Sequence, residues 1–188
     1  MSIRMATEQD LPRILEIYSP YVENTVFSFE YTVPTLGEFT QRFLRITAQF
    51  PWLVWEEDGT VFGYAYGSRP FERAGYQWSA EASIYLCPEA YRKGIGRKLY
   101  AALEELLQKQ GYRKVYAIIT SANEASIAFH RAVGYQHTAI LPGCAYKLGQ
   151  WYGTVWMEKD LKLWDTPPQP PVPVNRLRAI IGEKEGIT

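Results

Sequence analysis

Glu81 and His130 are the side chains of this sequence whose types best suit proton transfer, and a basic glycine turn lies between them. Glu81 stands in an alternating, strand-like run at 79–86, and His130 stands in a helix-like run at 124–133. A positioned carboxylate can take a proton from an amine, and an imidazole can take or give a proton near neutral pH. Each residue alone would more simply be a hydrogen-bonded strand carboxylate or a packed helix histidine.

The segment 91–98 reads Tyr-Arg-Lys-Gly-Ile-Gly-Arg-Lys and is a candidate anion site. Its two glycines allow tight backbone geometry where a strand gives way to a helix, and the free amides and dipole of a first helical turn attract anions. The third glycine of a dinucleotide motif is absent, and the chain has no Gly-Lys-Ser/Thr of a P-loop. The pattern predicts backbone binding of a diphosphate-bearing ligand. Together with the carboxylate and the imidazole, it indicates that an amine meets a phosphate-bearing acyl donor.

Composition excludes several other classes of protein. The 188 residues suit one domain, and a hydrophobic content of 47% is too high for a disordered chain. Lys+Arg and Asp+Glu both number 20, so no overall charge attracts nucleic acid. Cys87 and Cys144 form neither a disulfide framework nor a metal-ligand spacing. We find no signal-peptide pattern and no run of membrane-spanning length. We therefore expect a cytoplasmic protein without a metal and without a nucleic-acid or membrane partner.

Periodicity and turn signals predict an α+β fold built on a mixed sheet rather than a doubly wound one. The predicted elements are a strand at 3–5, a helix from 11 that ends at Pro20, an irregular segment at 24–33, a helix after Thr35, strands at 52–56, 61–67 and 78–86, a helix at 94–110, a strand at 114–120, a helix at 124–133 and strands at about 136–141 and 151–159. We expect this domain to span 1–163. Residues 164–188 are expected to form a proline-rich, extended tail, as a spacer or as an arm on the body or on a second subunit.

The glycine turn and the helix after it resemble a known family. Arg92–Lys98 is similar to the coenzyme A pyrophosphate motif of the GNAT acetyltransferases, and Asn123, Ser126, His130 and Gly134-Tyr135 match positions further along that family's motif. Tyr91 departs from the glutamine or arginine usual at its position. Closer similarity, over nearly the whole chain, is to the phosphinothricin and methionine sulfoximine N-acetyltransferases. It is carried by the runs 29–30, 51–54, 63–66 and 76–85, and it extends to Gly143, Lys147, Gly149, Trp151 and the proline-rich tail.

The resemblance implies a twisted sheet that splits to admit acetyl-CoA, usually in a homodimer, and an amino-acid analogue as the acceptor. Glu81 is then the candidate base, while His130 either protonates the departing thiolate or is itself the base. The candidate residues for binding acetyl-CoA are Ile84, Tyr85, Leu86, Arg92, Lys93, Gly94, Ile95, Gly96, Arg97, Asn123 and Ser126. The candidate residues for binding the acceptor are Phe29, Arg73, Tyr76, Trp78 and Lys147, with Arg69 as a further cation.

Three other functions stay open at this point. An acetyltransferase could act on a protein N-terminus, a lysine or a polyamine, although the loop at 69–78 carries two arginines and one glutamate, which argues against a polyamine. A non-catalytic acetyl-CoA sensor would need neither Glu81 nor His130. An adaptor that acts through its proline-rich tail would not depend on the site at all.

Overall fold

The computed structural model describes residues 1–162 and 167–177. Its strands and helices are β1 (Ser2–Met5), α1 (Leu11–Asn24), α2 (Leu36–Thr47), β2 (Trp52–Glu57), β3 (Thr60–Ser68), β4 (Ser79–Leu86), α3 (Ile95–Gln110), β5 (Lys114–Thr120), α4 (Glu124–Ala132), β6 (Gln136–Lys147) and β7 (Gln150–Asp160). Among the described residues, none of the helices has the length and apolar character that crossing a membrane requires.

The strands form one mixed sheet in the order β1-β2-β3-β4-β5-β7-β6. Neighbouring strands run antiparallel except for β4 and β5, which are parallel and pair only from Ser79–Lys114 to Glu81–Tyr116. Beyond those pairs the two strands diverge, so the sheet is split in its centre. The prediction of an α+β fold with a split mixed sheet is confirmed.

Helix α3 covers one face of the sheet and begins and ends at glycines. Gly94 precedes it with φ 75° and Gly111 follows it with φ 105°, both in the left-handed region that favours glycine. Its buried side shows helical spacing through Leu99, Leu103 and Leu107. The helix approaches β3 closely because that strand carries Gly67, where a Cβ would lie 3.1 Å from the Leu107 side chain. This close packing fixes the start of α3 beside the split.

Helices α1 and α2 cover the opposite face, which is rich in aromatic rings. Trp52 stacks on Tyr66 with ring centroids 4.1 Å apart, and Tyr85 of β4 meets Tyr18 of α1 edge-on at 4.9 Å. Successive strand residues point to opposite faces. Glu81 lies four residues before Tyr85 on β4, an even number, and therefore lies on the same aromatic face.

The prediction that Pro20 ends the first helix is wrong. The helix continues to Asn24 with the proline inside it. A proline removes one backbone donor, and tertiary contacts of the last turn compensate for that loss. Val22 is buried, and the ring of Tyr21 packs edge-on against Tyr85 at 5.1 Å. The last two strands are also longer than predicted.

The described part of the tail, residues 167–177, lies on the body of the protein. The Val172 amide donates to the Gln110 carbonyl at 2.8 Å. The Trp78 indole N–H donates to the Gln169 carbonyl, also at 2.8 Å. The predicted boundary between domain and tail falls outside the described residues.

Candidate active site

The split between β4 and β5 opens a narrow gap through the sheet. Glu81 and Tyr116 form the last residue pair before the strands separate. The gap has a volume of about 80 Å³, and its strand residues run from Ala82 to Tyr85 and from Ala117 to Thr120. Glu81 therefore lies at the closed end of the gap, one residue before the lining begins at Ala82.

A groove of about 450 Å³ continues from the gap toward the start of α3. The predicted acetyl-CoA residues that line it are Ile84, Leu86, Arg92, Gly94, Ile95, Gly96, Arg97, Asn123 and Ser126. Tyr85 lines the gap instead. Lys93 is exposed and is not part of either lining.

The first turn of α3 suits a diphosphate. The amides of Ile95, Gly96 and Arg97 have no partner within the helix, and the helix dipole adds positive charge there. A Cβ at Gly96 would lie 3.3 Å from the Phe129 ring, so the glycine lets α3 and α4 close around the groove. Arg92 and Arg97 add full charges at the rim. The residues present therefore fit the diphosphate of acetyl-CoA.

The open edge of β4 carries backbone groups that β5 does not use. The Cys87 amide donates to a carbonyl of β3 at 2.9 Å, so by alternation the amides of Ile84 and Leu86 point away from β3, toward the gap. The Leu86 amide donates to the Tyr21 hydroxyl at 3.4 Å, and the Leu86 carbonyl accepts from that hydroxyl at 2.6 Å. By the same alternation the Tyr85 amide points to β3. Ile84 is thus the predicted residue that best offers a free backbone amide in the gap.

Glu81 is half-buried, and among residues 1–162 and 167–177 it makes no hydrogen bond and no ion pair. Burial raises the pKa of its carboxyl from 4.5 to about 7. No group of His, Cys, Asp and Glu that could hold a metal ion occurs in the described part of the chain. The carboxyl therefore titrates near neutral pH, as a general base for an amine requires.

His130 is buried, with 3% of its surface exposed, and both of its ring nitrogens are occupied. Nδ1 lies 2.7 Å from the Ser126 carbonyl oxygen, and Nε2 lies 2.8 Å from the Tyr100 hydroxyl. A carbonyl only accepts, so Nδ1 carries the proton and Nε2 accepts from Tyr100. Burial lowers the pKa of His130 to about 4, so the imidazole is neutral at pH 7. Sequence reasoning missed Tyr100, because helical spacing alone marks it only as a core residue of α3.

Lys147 is buried, and its ammonium faces backbone rather than an open pocket. Nζ donates to the Val22 carbonyl at 2.6 Å and to the Ser28 carbonyl at 2.7 Å. The Ser28 hydroxyl in turn lies 2.8 Å from that of Tyr18. Lys147 thus ties the loop after α1 to β6. These contacts describe a residue that holds the loop in place.

The other predicted acceptor residues do not line the gap. Arg73 and Tyr76 are exposed in the loop before β4, and Phe29 is half-buried in the loop after α1. The Trp78 indole is hydrogen-bonded to the Gln169 carbonyl of the tail. The aromatic residue of the loop after α1 that does line the gap is Phe27, which sequence reasoning missed. Arg69 lines a separate cavity of about 90 Å³ beside the tail.

Comparison with known proteins agrees with this geometry. The family model described as an acetyltransferase (GNAT) domain matches residues 3–156. The phosphinothricin N-acetyltransferase of Streptomyces viridochromogenes is 32% identical over 177 residues, which cover 94% of this chain and 96% of that protein. The L-methionine sulfoximine/L-methionine sulfone acetyltransferase of Pseudomonas paraeruginosa is 37% identical over 164 residues, covering 85% of this chain and 94% of that protein.

A solved structure gives the same result for the fold. The GNAT superfamily phosphinothricin acetyltransferase from Sinorhizobium meliloti, in complex with AcCoA, superposes with a TM-score of 0.86 at 37% identity, covering 91% of this chain and 94% of that one. The split sheet, the glycine turn at the start of α3 and these relatives lead to one conclusion: the chain belongs to the GNAT acetyltransferase family and is an acyltransferase with acetyl-CoA as its co-substrate.

Proposed function

We propose that this enzyme transfers the acetyl group of acetyl-CoA to the α-amino group of a small amino-acid analogue of the phosphinothricin, methionine sulfoximine or methionine sulfone type. The names of relatives that match more than four fifths of the chain support this acceptor class. The position and environment of Glu81 support direct attack by the amine with general-base assistance.

The unpaired carboxyl of Glu81 is the observation that carries the proposal. A half-buried carboxylate without a cation is unfavourable, and among the described residues Glu81 has no such partner. The ammonium of an amino acid would be that partner. A carboxyl with a pKa near 7 would bind the ammonium and then take its proton at neutral pH.

Acetyl-CoA and the acceptor amino acid would approach the gap from opposite faces of the sheet. Glu81 lies on the aromatic face under α1 and α2, whereas the diphosphate groove lies beside α3 and α4. Acetyl-CoA supplies the thioester. In this proposal Glu81, directly or through a water, first takes the proton of the ammonium and releases it to solvent, and then takes a second proton from the amine as the N–C bond forms and the C–S bond breaks. The Ile84 amide, on the open edge of β4, donates a hydrogen bond to the thioester oxygen as it gains negative charge.

His130 and Tyr100 would act together in the protonation of the departing thiolate. The Nε2 of a neutral His130 has no proton to give, whereas the Tyr100 hydroxyl that donates to it has one. We therefore assign His130 the role of holding Tyr100 and assign the transferred proton to the Tyr100 hydroxyl. Glu81 is the base in this assignment, and His130 is a positioning residue.

A homodimer formed through the β6–β7 hairpin belongs to the same proposal. The hairpin exposes large apolar side chains, with Ile140 at 59%, Leu148 at 61% and Trp151 at 67% exposure. Exposed apolar surface of this kind is typical of an interface. Sedimentation equilibrium should give a dimer for the wild type and a monomer for Trp151→Asp; a monomeric wild type would contradict the assignment.

We also propose a cytoplasmic location, in keeping with two free cysteines.

The acceptor is tested by thiol release from acetyl-CoA. The acceptors to compare are phosphinothricin, methionine sulfoximine, methionine sulfone, a polyamine and a short peptide. Turnover confined to the three amino-acid analogues, and lost in Glu81→Gln, is the expected result. Turnover of the peptide or the polyamine instead would assign a different acceptor. Tight binding of acetyl-CoA with no acceptor turned over would indicate a sensor.

A further inference from the structure

Thr120, the last residue of β5, has a buried hydroxyl that lacks a hydrogen-bond partner among the residues the structure describes. Its side chain is 3% exposed, and within the described part of the chain its Oγ1 has no hydrogen-bond partner. The residue lines the gap between β4 and β5. Buried hydroxyls are nearly always hydrogen-bonded, because an unpaired one loses its bonds to water without replacement. A hydroxyl left unpaired beside a substrate gap is therefore a candidate for bonding the substrate.

The register of the sheet places this hydroxyl on the side of the acceptor. Tyr116 of β5 is paired with Glu81, and side chains of paired residues share a face. Strand β5 continues without a register shift to Thr120, so Thr120 lies on the same face as Tyr116 and Glu81. The diphosphate groove belongs to the other face, where Ile84 approaches the start of α3.

The separation along the strand limits what a bridging molecule can be. Thr120 lies four residues beyond Tyr116, or about 13 Å at about 3.3 Å per residue. An amino acid with a polar oxygen at the end of a four-atom side chain spans roughly 6 Å from its amine to that oxygen, judged from standard bond lengths. Hydrogen bonds of about 3 Å at each end bring the reach to about 12 Å. The spacing of about 5 Å between the strands brings the separation of the Glu81 and Thr120 Cα atoms to about 14 Å. The extended side chain of Glu81 adds about 4 Å of reach from its own Cα. An acceptor held by its amine at the Glu81 carboxyl can therefore reach Thr120 with the far end of its side chain.

We infer that Thr120 is a specificity-determining residue whose hydroxyl donates a hydrogen bond to the oxygen-bearing group at the far end of the acceptor's side chain. The inference rests on the proposed function, since it places the amine at Glu81. Methionine sulfone and methionine provide the matched pair of acceptors, because they differ in the two oxygens at this end of the side chain.

The test is the steady-state kinetics of Thr120→Val with both acceptors. The valine keeps the shape and removes the hydroxyl, so kcat/KM for methionine sulfone should fall about tenfold to a hundredfold. The value for methionine should stay within about twofold, and the KM for acetyl-CoA should not change. Thr120→Ser, which keeps the hydroxyl, should retain most of the activity toward methionine sulfone.

Thr154→Val is the matched control, because Thr154 lies directly across from Thr120 on β7 and its hydroxyl lies 3.5 Å from the Cys144 sulfur. It should leave the preference for methionine sulfone unchanged. An equal loss toward both acceptors, a raised KM for acetyl-CoA, or no effect of Thr120→Val would each overturn the inference while leaving the acceptor class intact. If the wild type acetylates no free amino acid, the proposed function itself fails. The melting temperature of Thr120→Val should not fall, since the hydroxyl it removes is unpaired.

Discussion

Replacing Glu81 by glutamine should abolish turnover and at the same time stabilise the protein above neutral pH. Burial raises the pKa of this carboxyl from 4.5 to about 7. The folded state therefore holds a proton that the unfolded state releases, and stability falls as pH rises from about 4.5 to about 7. At about 1.4 kcal/mol per pH unit, ionised Glu81 costs up to about 3 kcal/mol above pH 7. Glutamine mimics the neutral acid and removes that cost.

Three measurements test the raised pKa of Glu81. The free energy of unfolding of Glu81→Gln should match that of the wild type near pH 4.5 and exceed it by up to about 3 kcal/mol at pH 8. The melting temperature should rise by about 2–4 °C for each kcal/mol gained. The wild-type kcat/KM should rise through about pH 7 and then level off, with about a tenth of the maximum at pH 6.

Glu16→Gln is the control for these measurements, because Glu16 is an exposed carboxylate of α1 whose ion pair, among the described residues, is with Arg13. It should leave the pH profile of kcat/KM unchanged and should not stabilise the protein at pH 8. The reasoning would be refuted by a Glu81→Gln variant less stable than the wild type at pH 8. A kcat/KM that climbs evenly to pH 9, with no levelling near pH 7, would refute the assignment of the base.

Three further substitutions test other parts of the site. Gly96→Ala should raise the KM for acetyl-CoA at least tenfold, because the added methyl group presses on the neighbouring ring of α4, whereas Gly37→Ala in α2, with open space around it, should leave that KM unchanged. Lys147→Met should lower the free energy of unfolding by about 2–3 kcal/mol in urea titrations, because it leaves two buried carbonyls without a hydrogen-bond donor. An unchanged stability would contradict the role of Lys147 in holding the loop after α1. Tyr100→Phe should lower kcat about tenfold to a hundredfold with little change in KM for the acceptor, and rates equal to the wild type would remove Tyr100 from the proton path.

Local rules account for most of the elements that were predicted. The cap of α2 is a reciprocal pair in which the Thr35 side chain accepts from the Glu38 amide while the Glu38 carboxylate accepts from the Thr35 amide. The turn between β2 and β3 needs left-handed backbone at Asp58 and Gly59, and the sequence offers residues that adopt it. Such features depend on residues within one turn of each other. Spacing along the chain is therefore enough to predict them.

The type of a side chain did not predict its role where that side chain contacts residues far away in the sequence. Lys147 is a cation of the right kind for an anionic substrate, yet its ammonium bonds the carbonyl of Val22, 125 positions away. His130 has the right ring for acid–base chemistry, and burial makes it neutral. The unpaired state of Thr120 has no signal in the sequence, because a threonine at the end of a strand is ordinarily hydrogen-bonded.

The sequence by itself determined the glycine turn, the alternating strand that carries Glu81, the order of elements and, through their resemblance, the family and its acetyl donor. The tertiary structure alone decided which charged and polar groups are free to meet a substrate. The physical reason is that proton affinity and hydrogen-bond capacity depend on desolvation and on partners, and both come from residues far apart in the chain. Burial places the pKa of Glu81 near 7 and that of His130 near 4. The split beyond Glu81 and Tyr116 then decides where those groups can act.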